Sequence, residues 1–387
     1  MKLTKLSLIA MLALTTAMAG DAKIGGDAKL FYGTTDAGDA DLFNKNGAIG
    51  NAAVSIDYSR EVASGITLNA GLTGVSTLGL ENELVSGTWV NQNGLEDRAW
   101  IDTANITAQV GKTTLVVGRQ MLDTPFFTSE TWNIAPNTFD AAVAVNKNIP
   151  DTTLVAAWVG RGNGDSGQTV NAKSLGGGFT PFTGALKPAY AFAVVNKSIE
   201  NVTTQAWYYS IPTVANAYWL QADTELVKGM TFGLQYAGAE LKSASDSSNA
   251  YAVKLGYNLS GVDVFAAYSK RNDEGAIDIS NIATGHGGAS QSALYTEAWW
   301  NYGIVGSNDA ATISVGGAYD LGTVKLALQH TNIDTGANNN DLAETTLTIE
   351  KKIGALETTL ALINASADDD ARDGNTVQVY LTVPFSL

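Results

Sequence analysis

The chain has 387 residues, of which 45% are hydrophobic and only 16% charged, with no cysteine and a formal net charge of −15. The apolar content excludes a disordered chain, and the lack of cysteine excludes disulfides, zinc–thiolate and iron–sulfur sites and thiol nucleophiles. The acidity disfavours nucleic acid as a partner, because phosphate backbones are bound mainly by lysine and arginine.

The first 19 residues have the features of a cleaved secretory leader. Two lysines precede an apolar run from Leu6 to Leu14, and Ala17-Met18-Ala19 fits the small-x-small pattern of a signal peptidase site. We predict a signal peptide over residues 1–19 and one mature domain over residues 20–387. Beyond the leader no apolar run approaches the ~20 residues of a spanning helix, so a membrane crossing would have to be made by strands.

After the leader, apolar residues alternate with polar or small ones, a period of two that is typical of β-strands. Near the C-terminus, for example, Val377, Val379 and Leu381 alternate with Gln378, Tyr380 and Thr382. The pattern predicts eighteen strands, at residues 22–33, 50–62, 66–77, 98–110, 113–121, 137–149, 152–161, 188–198, 202–211, 215–226, 230–242, 249–259, 262–271, 310–320, 323–332, 342–353, 356–365 and 374–387.

The connections between these strands are alternately short and long. Such a layout, with an even strand number, predicts an all-β fold: a transmembrane antiparallel β-barrel with short periplasmic turns, long outer loops and both termini on the periplasmic side. Residues 98–110 lose the alternation midway, which predicts a β-bulge. The connection 272–309 contains a segment that could be a further strand, but an odd count would result. We interpret it as a structured loop, because long loops in compact folds are usually functional.

One region resembles a known family. The run Leu115-Val116-Val117-Gly118-Arg119-Gln120, then Pro125, then Pro136-Asn137-Thr138-Phe139, is similar to the fifth strand, third loop and sixth strand of OprD-type outer-membrane porins. The length, leader and alternation also resemble the major porins of epsilonproteobacteria. The resemblance implies an eighteen-stranded barrel, an inward-folded third loop at residues 122–136, and a homotrimer. The chain departs from the family pattern at Trp132-Asn133-Ile134, where members often carry an arginine.

The nine predicted outer connections hold most of the negative charge. They contain 22 acidic and 4 basic residues, a net charge of −18, which leaves the strands and turns of the mature chain nearly neutral. One interpretation is that the acidic mouth concentrates cations. The other is that acidic loops only keep the surface soluble, or bridge lipopolysaccharide through divalent ions. The sequence leaves both open.

The predicted pore constriction combines Arg98, Arg119 and Arg161, near the outer ends of three strands, with Asp123 and Glu130 of the third loop. We expect the arginines to face the lumen, because an arginine on the lipid face near the midplane costs ~2–4 kcal/mol. Such opposed charges would set up a field across the narrowest section. Alternatively they are ordinary ion pairs that anchor the loop, which is compatible with the first interpretation.

Three tryptophans of the long loops, Trp132, Trp299 and Trp300, are candidates to line a solute path, although aromatic residues of outer-membrane barrels more commonly form interfacial girdles. The two histidines, His286 and His330, are far apart in sequence and form no metal or catalytic pattern. We therefore expect neither an enzyme nor a cofactor.

The pattern favours an outer-membrane porin of a Gram-negative bacterium, a water-filled diffusion channel for ions and small hydrophilic solutes. A weak cation preference is expected, with anion preference as the competing outcome if the three arginines dominate the constriction. The expected partners are outer-membrane lipid and lipopolysaccharide, together with the permeating ions and solutes. The alternative is a structural or adhesin barrel with a plugged lumen, which would need a domain before the first strand, yet strand pattern starts at about Ala22.

Overall fold

A computed structural model describes residues 22–87, 97–132, 134–164, 188–283, 290–336 and 340–387. These residues form a closed antiparallel barrel of eighteen strands, which confirms the predicted fold class. The strands are β1 (Lys23–Thr35), β2 (Ala48–Ala63), β3 (Ile66–Ser76), β4 (Arg98–Val110), β5 (Thr113–Gln120), β6 (Phe139–Asn146), β7 (Thr152–Gly162), β8 (Ala189–Asn196), β9 (Val202–Ile211), β10 (Ala215–Val227), β11 (Met230–Leu241), β12 (Ser247–Leu259), β13 (Val262–Arg271), β14 (Ala311–Asp320), β15 (Lys325–Asp334), β16 (Leu342–Ile353), β17 (Leu356–Ala367) and β18 (Gly374–Ser386).

Each strand pairs with its neighbours in sequence, and β1 pairs with β18 from Gly25↔Ser386 to Thr35↔Thr376, which closes the sheet. Closure leaves no strand edge unpaired, as a barrel in lipid requires. The described part of the chain also contains three short 3-10 helices, Lys45–Gly47, Leu80–Asn82 and Ile304–Gly306. None of its helices is both long and apolar enough to cross a membrane. The predicted leader lies outside the described residues.

The bulge predicted in β4 is confirmed at Asp102. Gly71 of β3 pairs with Thr103, whereas Leu72 pairs with Ile101, so Asp102 has no partner in the ladder. The extra residue explains why the alternation of the sequence loses phase there.

The two faces of the sheet differ as the alternation predicts. Large apolar side chains cover the outer face, including Leu115, Val117, Phe192, Leu234, Tyr251, Leu255, Ile313 and Leu328, all of them exposed on the isolated chain. The inner face is divided. From β6 to β12 it carries small or apolar residues such as Ala141, Ala191 and Ala252, which are buried under loops. From β1 to β4 it carries charged residues such as Asp27, Asp57 and Asp102 beside the buried Phe31 and Trp100. The charged residues make this part of the lumen suited to water.

Two long connections fold into the barrel. The third loop joins β5 to β6 (residues 121–138), and the seventh loop joins β13 to β14 (residues 272–310). The inward third loop was predicted. The seventh loop contains no strand among its described residues, in agreement with the structured loop inferred from its length.

Candidate functional site in the barrel lumen

The first half of the third loop packs against the apolar inner face of β6 to β12, called the apolar wall below. Leu122, Phe126 and Phe127 are buried, and they join one hydrophobic cluster with inward side chains of β6 to β12. The ring of Phe126 meets Tyr209 edge-on at 5.3 Å between centroids and Trp219 at 6.0 Å. Burying two phenylalanines contributes about 1.5–3 kcal/mol each. This apolar segment therefore holds the loop inside the barrel.

The second half of the same loop reaches the opposite side of the lumen. Ile134 and Ala135 are buried in a second cluster with Phe31 of β1 and Trp100 of β4. Because the two clusters lie on different walls, the third loop crosses the lumen and narrows it.

The seventh loop completes the obstruction by binding the third loop. Asn281 Nδ2 donates to Thr128 O at 2.9 Å, and its Oδ1 accepts from Thr128 N at 3.1 Å, so one side chain satisfies both backbone groups. Trp132 Nε1 donates to Gln291 Oε1 at 3.0 Å, and its ring lies 5.1 Å from that of Tyr302. The constriction is thus built by two loops.

Glu344 of β16 fixes the seventh loop to the wall. Its carboxylate accepts hydrogen bonds from the backbone N–H groups of Trp299 (2.8 Å), Trp300 (3.0 Å) and Asn301 (2.8 Å). The side chain of Asn301 adds a fourth bond at 3.0 Å. Hydrogen bonds to an ionised acceptor are about twice as strong as neutral ones, so this buried carboxylate is the main polar anchor of the segment.

A second carboxylate, Glu297, organises the loop from within. It accepts from the backbone N–H groups of Gly303 (2.9 Å), Ala298 (3.0 Å) and Ser292. Burial, together with the nearby Glu344, raises the pKa of Glu297 to about 8, although the three N–H donors act in the opposite direction. The loop therefore contains a group that titrates near neutral pH.

The two carboxylates predicted for the constriction have different surroundings. Glu130 is 0% exposed, and its Oε1 accepts from Asn281 Nδ2 at 3.2 Å. It lies in the contact between the two loops. The prediction that it faces the channel was therefore wrong. Asp123 is half-buried on the third loop, and burial raises its pKa to about 6.

Arg119 and Arg161 lie on the outer face of the barrel, which corrects the prediction that they line the lumen. Both bind Asp140 of β6, at 2.9 Å from Arg119 Nε and 2.5 Å from Arg161 Nη2. Arg119 lies two residues after the outward Val117 and four after the outward Leu115, so the three share one face, and its Nη1 donates to Ile101 O. The argument from the free-energy cost of a lipid-facing arginine failed because that cost applies at the bilayer midplane. Near the interface the cost falls to about 0–1 kcal/mol, and Asp140 offsets part of the charge.

Arg98 lies on the inner face, because it pairs with the inward Val75. The structure therefore brings Arg98, Asp123 and Glu130 to the lumen side and separates them from Arg119 and Arg161.

The polar inner face of β1 to β4, called the polar wall below, carries a cluster of three carboxylates that the sequence analysis did not single out. Asp27, Asp57 and Asp102 share the inner face of β1, β2 and β4, accompanied by Lys29, whose Nζ lies 3.4 Å from Asp27 Oδ2. A Cβ added at Gly71 would overlap Asp102 Oδ1 and lie 2.9 Å from Asp57 Oδ1, so the two carboxylates approach each other over bare backbone.

Asp102 is the most constrained member of this group. The residue is 7% exposed, and its Oδ2 accepts from Thr73 Oγ1, whereas its Oδ1 accepts no hydrogen bond within the described part of the chain. A buried carboxylate oxygen without a donor favours the approach of a cation. The loss of alternation at residues 98–110 was the only signal in the sequence, and it located the bulge without revealing its acidic neighbours.

The loop tryptophans lie inside the barrel, beside two cavities. Trp299 lines a cavity of about 240 Å³ together with Lys254, Phe265 and Gln329. Trp132 lines a smaller cavity of about 90 Å³ next to Lys29. Trp300 packs against the second hydrophobic cluster. These positions are compatible with the predicted role of lining a solute path, which stays a prediction.

In comparisons with known proteins, no protein-family model and no curated protein matches the chain. Solved structures do match. OccK8 (OprE) of Pseudomonas aeruginosa is 16% identical with a TM-score of 0.74, covering 96% of this chain and 100% of that one. OpdK of the same organism, solved with vanillate, is 11% identical with a TM-score of 0.75, covering 96% and 100%. OccAB4 of Acinetobacter baumannii is 12% identical with a TM-score of 0.75, covering 96% and 99%.

The TM-scores and coverages establish a shared fold over nearly the whole chain. They agree with the eighteen-stranded barrel that the resemblance to OprD-type porins implies. The resemblance to epsilonproteobacterial major porins remains a prediction.

Proposed function

We propose that this protein is an outer-membrane porin of a Gram-negative bacterium, a water-filled diffusion channel for ions and small hydrophilic solutes. The observation that carries the proposal is the divided lumen of a closed eighteen-stranded barrel, with an apolar wall covered by two loops and a polar wall facing them. Barrels of 16–18 strands enclose an aqueous channel. The fold shared with OpdK, an outer membrane protein, supports the location.

We propose further that the channel prefers cations weakly. Three carboxylates, Asp27, Asp57 and Asp102, share the polar wall with Lys29, and Arg98 lies on the same inner face at the loop end of β4. Two of the three arginines that would have favoured anions face outward instead. In a confined, poorly screened section the nearest charges dominate, so the wall and the acidic mouth act in the same direction.

The acidic wall also bears on organic solutes. OpdK was solved with vanillate, an aromatic carboxylate. In this chain such an anion would pass Asp57 and Asp102, so we propose that cationic, zwitterionic and neutral solutes permeate better.

Assembly, export and surroundings complete the proposal. We propose a homotrimer on the basis of the OprD-type and epsilonproteobacterial resemblance, and a signal peptide at residues 1–19 that directs export. Outer-membrane lipid and lipopolysaccharide surround the barrel in this proposal. Extraction in mild detergent should yield a species of three times the chain mass, and a monodisperse monomer would contradict the trimer.

The competing function is a structural or adhesin barrel with a plugged lumen, which the direct contacts between the third and seventh loops favour. Liposome swelling separates the two functions. Liposomes that contain the purified protein should swell in isotonic solutions of small neutral sugars, faster for pentoses than for disaccharides. Swelling no faster than that of protein-free liposomes for every sugar would establish the plug and overturn the channel.

A further inference from the structure

The outer face of the barrel carries one cluster of charges that the channel does not use. Arg119 of β5, Asp140 of β6 and Arg161 of β7 are neighbours in the sheet, with both guanidinium groups bound to a single carboxylate. The triad has a formal charge of +1. A bulge between Asp140 and Ala141 brings Arg161 onto the outer face, because it shifts the alternation of β7 by one residue.

The triad lies at the level where a membrane interface is expected. All three residues are at the loop ends of their strands, on the side of the long connections. Toward the middle of the barrel, the same face presents the cross-strand pair Trp158 and Tyr190, which are 43% and 36% exposed. Tryptophan and tyrosine on a lipid-facing surface mark the headgroup level. Arg161 therefore reaches just beyond the apolar zone.

Another outward cation gives a contrast. Lys270, at the loop end of β13, pairs with Asp309 as its one charged partner among the described residues, one charge against one. At the triad, Asp140 is shared by two arginines, and the side chain of Arg161 is 52% exposed. An arginine held by one N–H group keeps further donors in a planar fork that matches a phosphate.

We propose that this triad binds a phosphate group of a phosphorylated glycolipid in the outer leaflet. The outer-membrane location on which this rests is part of the proposed function, but the channel activity is not. Arg161 donates to the phosphate oxygens, Arg119 adds to the positive potential, and Asp140 holds both guanidinium groups in place. Charge complementarity selects this occupant over an uncharged lipid, and the aromatic pair below contacts its acyl chains.

Binding of purified lipid A to the detergent-solubilised full-length protein tests the proposal, measured by native mass spectrometry with bisphosphorylated and dephosphorylated lipid A as probes. Wild type should prefer the phosphorylated form. Arg161→Gln should weaken its binding about tenfold, the effect of losing one charge-assisted contact of about 1.4 kcal/mol. Lys270→Gln is the matched control and should bind as wild type does.

Asp140→Asn should not weaken the binding of phosphorylated lipid A, in contrast to Arg161→Gln. It raises the charge of the triad, so it should bind phosphorylated lipid A at least as tightly as wild type. Equal loss in Asp140→Asn and Arg161→Gln would show that the triad only stabilises the sheet, and would overturn the proposal. A change of oligomeric state in Arg161→Gln with unchanged lipid affinity would also overturn it, in favour of a contact with a second copy. In either case the swelling of liposomes would be unaffected, so failure here differs from failure of the channel.

Discussion

At the scale of single residues, the proposed ion preference of the channel depends on Gly71. Only a residue without a side chain lets Asp57 and Asp102 approach each other on the inner wall. Two carboxylates held close together are stabilised by cations that pass between or beside them. The missing side chain at Gly71 therefore lets two negative charges of the lumen lie close together.

Replacing both carboxylates, in Asp57→Asn/Asp102→Asn, should shift the reversal potential in a salt gradient toward anions. A charge in water interacts with a passing ion by about 0.5–1 kcal/mol at 4–8 Å, which corresponds to roughly a two- to fivefold change in the cation-to-anion permeability ratio. Glu357→Gln is the control, because Glu357 is exposed at a short turn and pairs with Lys352. Equal shifts in the double variant and the control would exclude the wall as the selective element.

At the scale of elements, the seventh loop depends on its bond to β16. Glu344→Gln replaces an acceptor oxygen by an NH₂ group that faces backbone donors, and an unsatisfied buried group costs about 1–3 kcal/mol. We expect the loop to leave the wall more often, with larger and noisier single-channel currents. Glu350→Gln, on the same face of β16 but paired with Lys325, should keep the wild-type trace. If the single-channel currents of Glu344→Gln equal those of wild type in size and noise, this anchor does not hold the loop.

The loop should also respond to pH through Glu297. Its pKa in the folded loop is about 8, against an ordinary value of 4.5. Between these values the folded loop holds a proton that the unfolded loop lacks, so its stability falls as pH rises through this window. Asp123 acts with the same sign at lower pH, up to about 6.

Hydrogen exchange of residues 290–306, corrected for the intrinsic rate, measures this response. Protection should decrease from pH 6 to pH 9 in wild type and stay constant in Glu297→Gln, which cannot ionise. The same decrease in the variant would assign the effect to another group.

The sequence was sufficient for the strands because alternation is local. The observed bounds of β4, β9, β16 and most other strands agree with the predicted ones within a few residues, and the bulge in β4 was visible as a loss of phase. It was not sufficient for the faces of Arg119 and Arg161. One bulge, between Asp140 and Ala141, reverses the face of Arg161, and nothing in the alternation of β7 reveals it.

The site was less predictable than the fold, because it is made by long-range contacts. Asn281 meets Thr128 across 153 residues, and Trp132 meets Gln291 across 159. The length of the connection 272–309 indicated a structured loop, but not its partner. Glu130 was predicted from its charge alone, and the contact between the loops explains why it is buried.

At the scale of the whole molecule, the eight connections that follow the even-numbered strands β2 to β16 each have two to five residues, and they lie at one end of the barrel together with the start of β1 and the end of β18. The chain has no native cysteine, so single cysteines can be labelled without background. A membrane-impermeant maleimide added to intact cells should label Asp370→Cys in the ninth loop and leave Gly354→Cys unlabelled until the cells are lysed. The reverse pattern would invert the barrel in the membrane.

The central claim is that the barrel conducts ions, with cations favoured by an acidic wall and mouth. The most direct test is a planar-bilayer recording of the purified protein in a tenfold gradient of potassium chloride. We predict discrete conductance steps and a reversal potential with the sign of potassium selectivity, which becomes smaller in Asp57→Asn/Asp102→Asn. Absence of steps would contradict the channel, and a reversal potential of the opposite sign would contradict the cation preference.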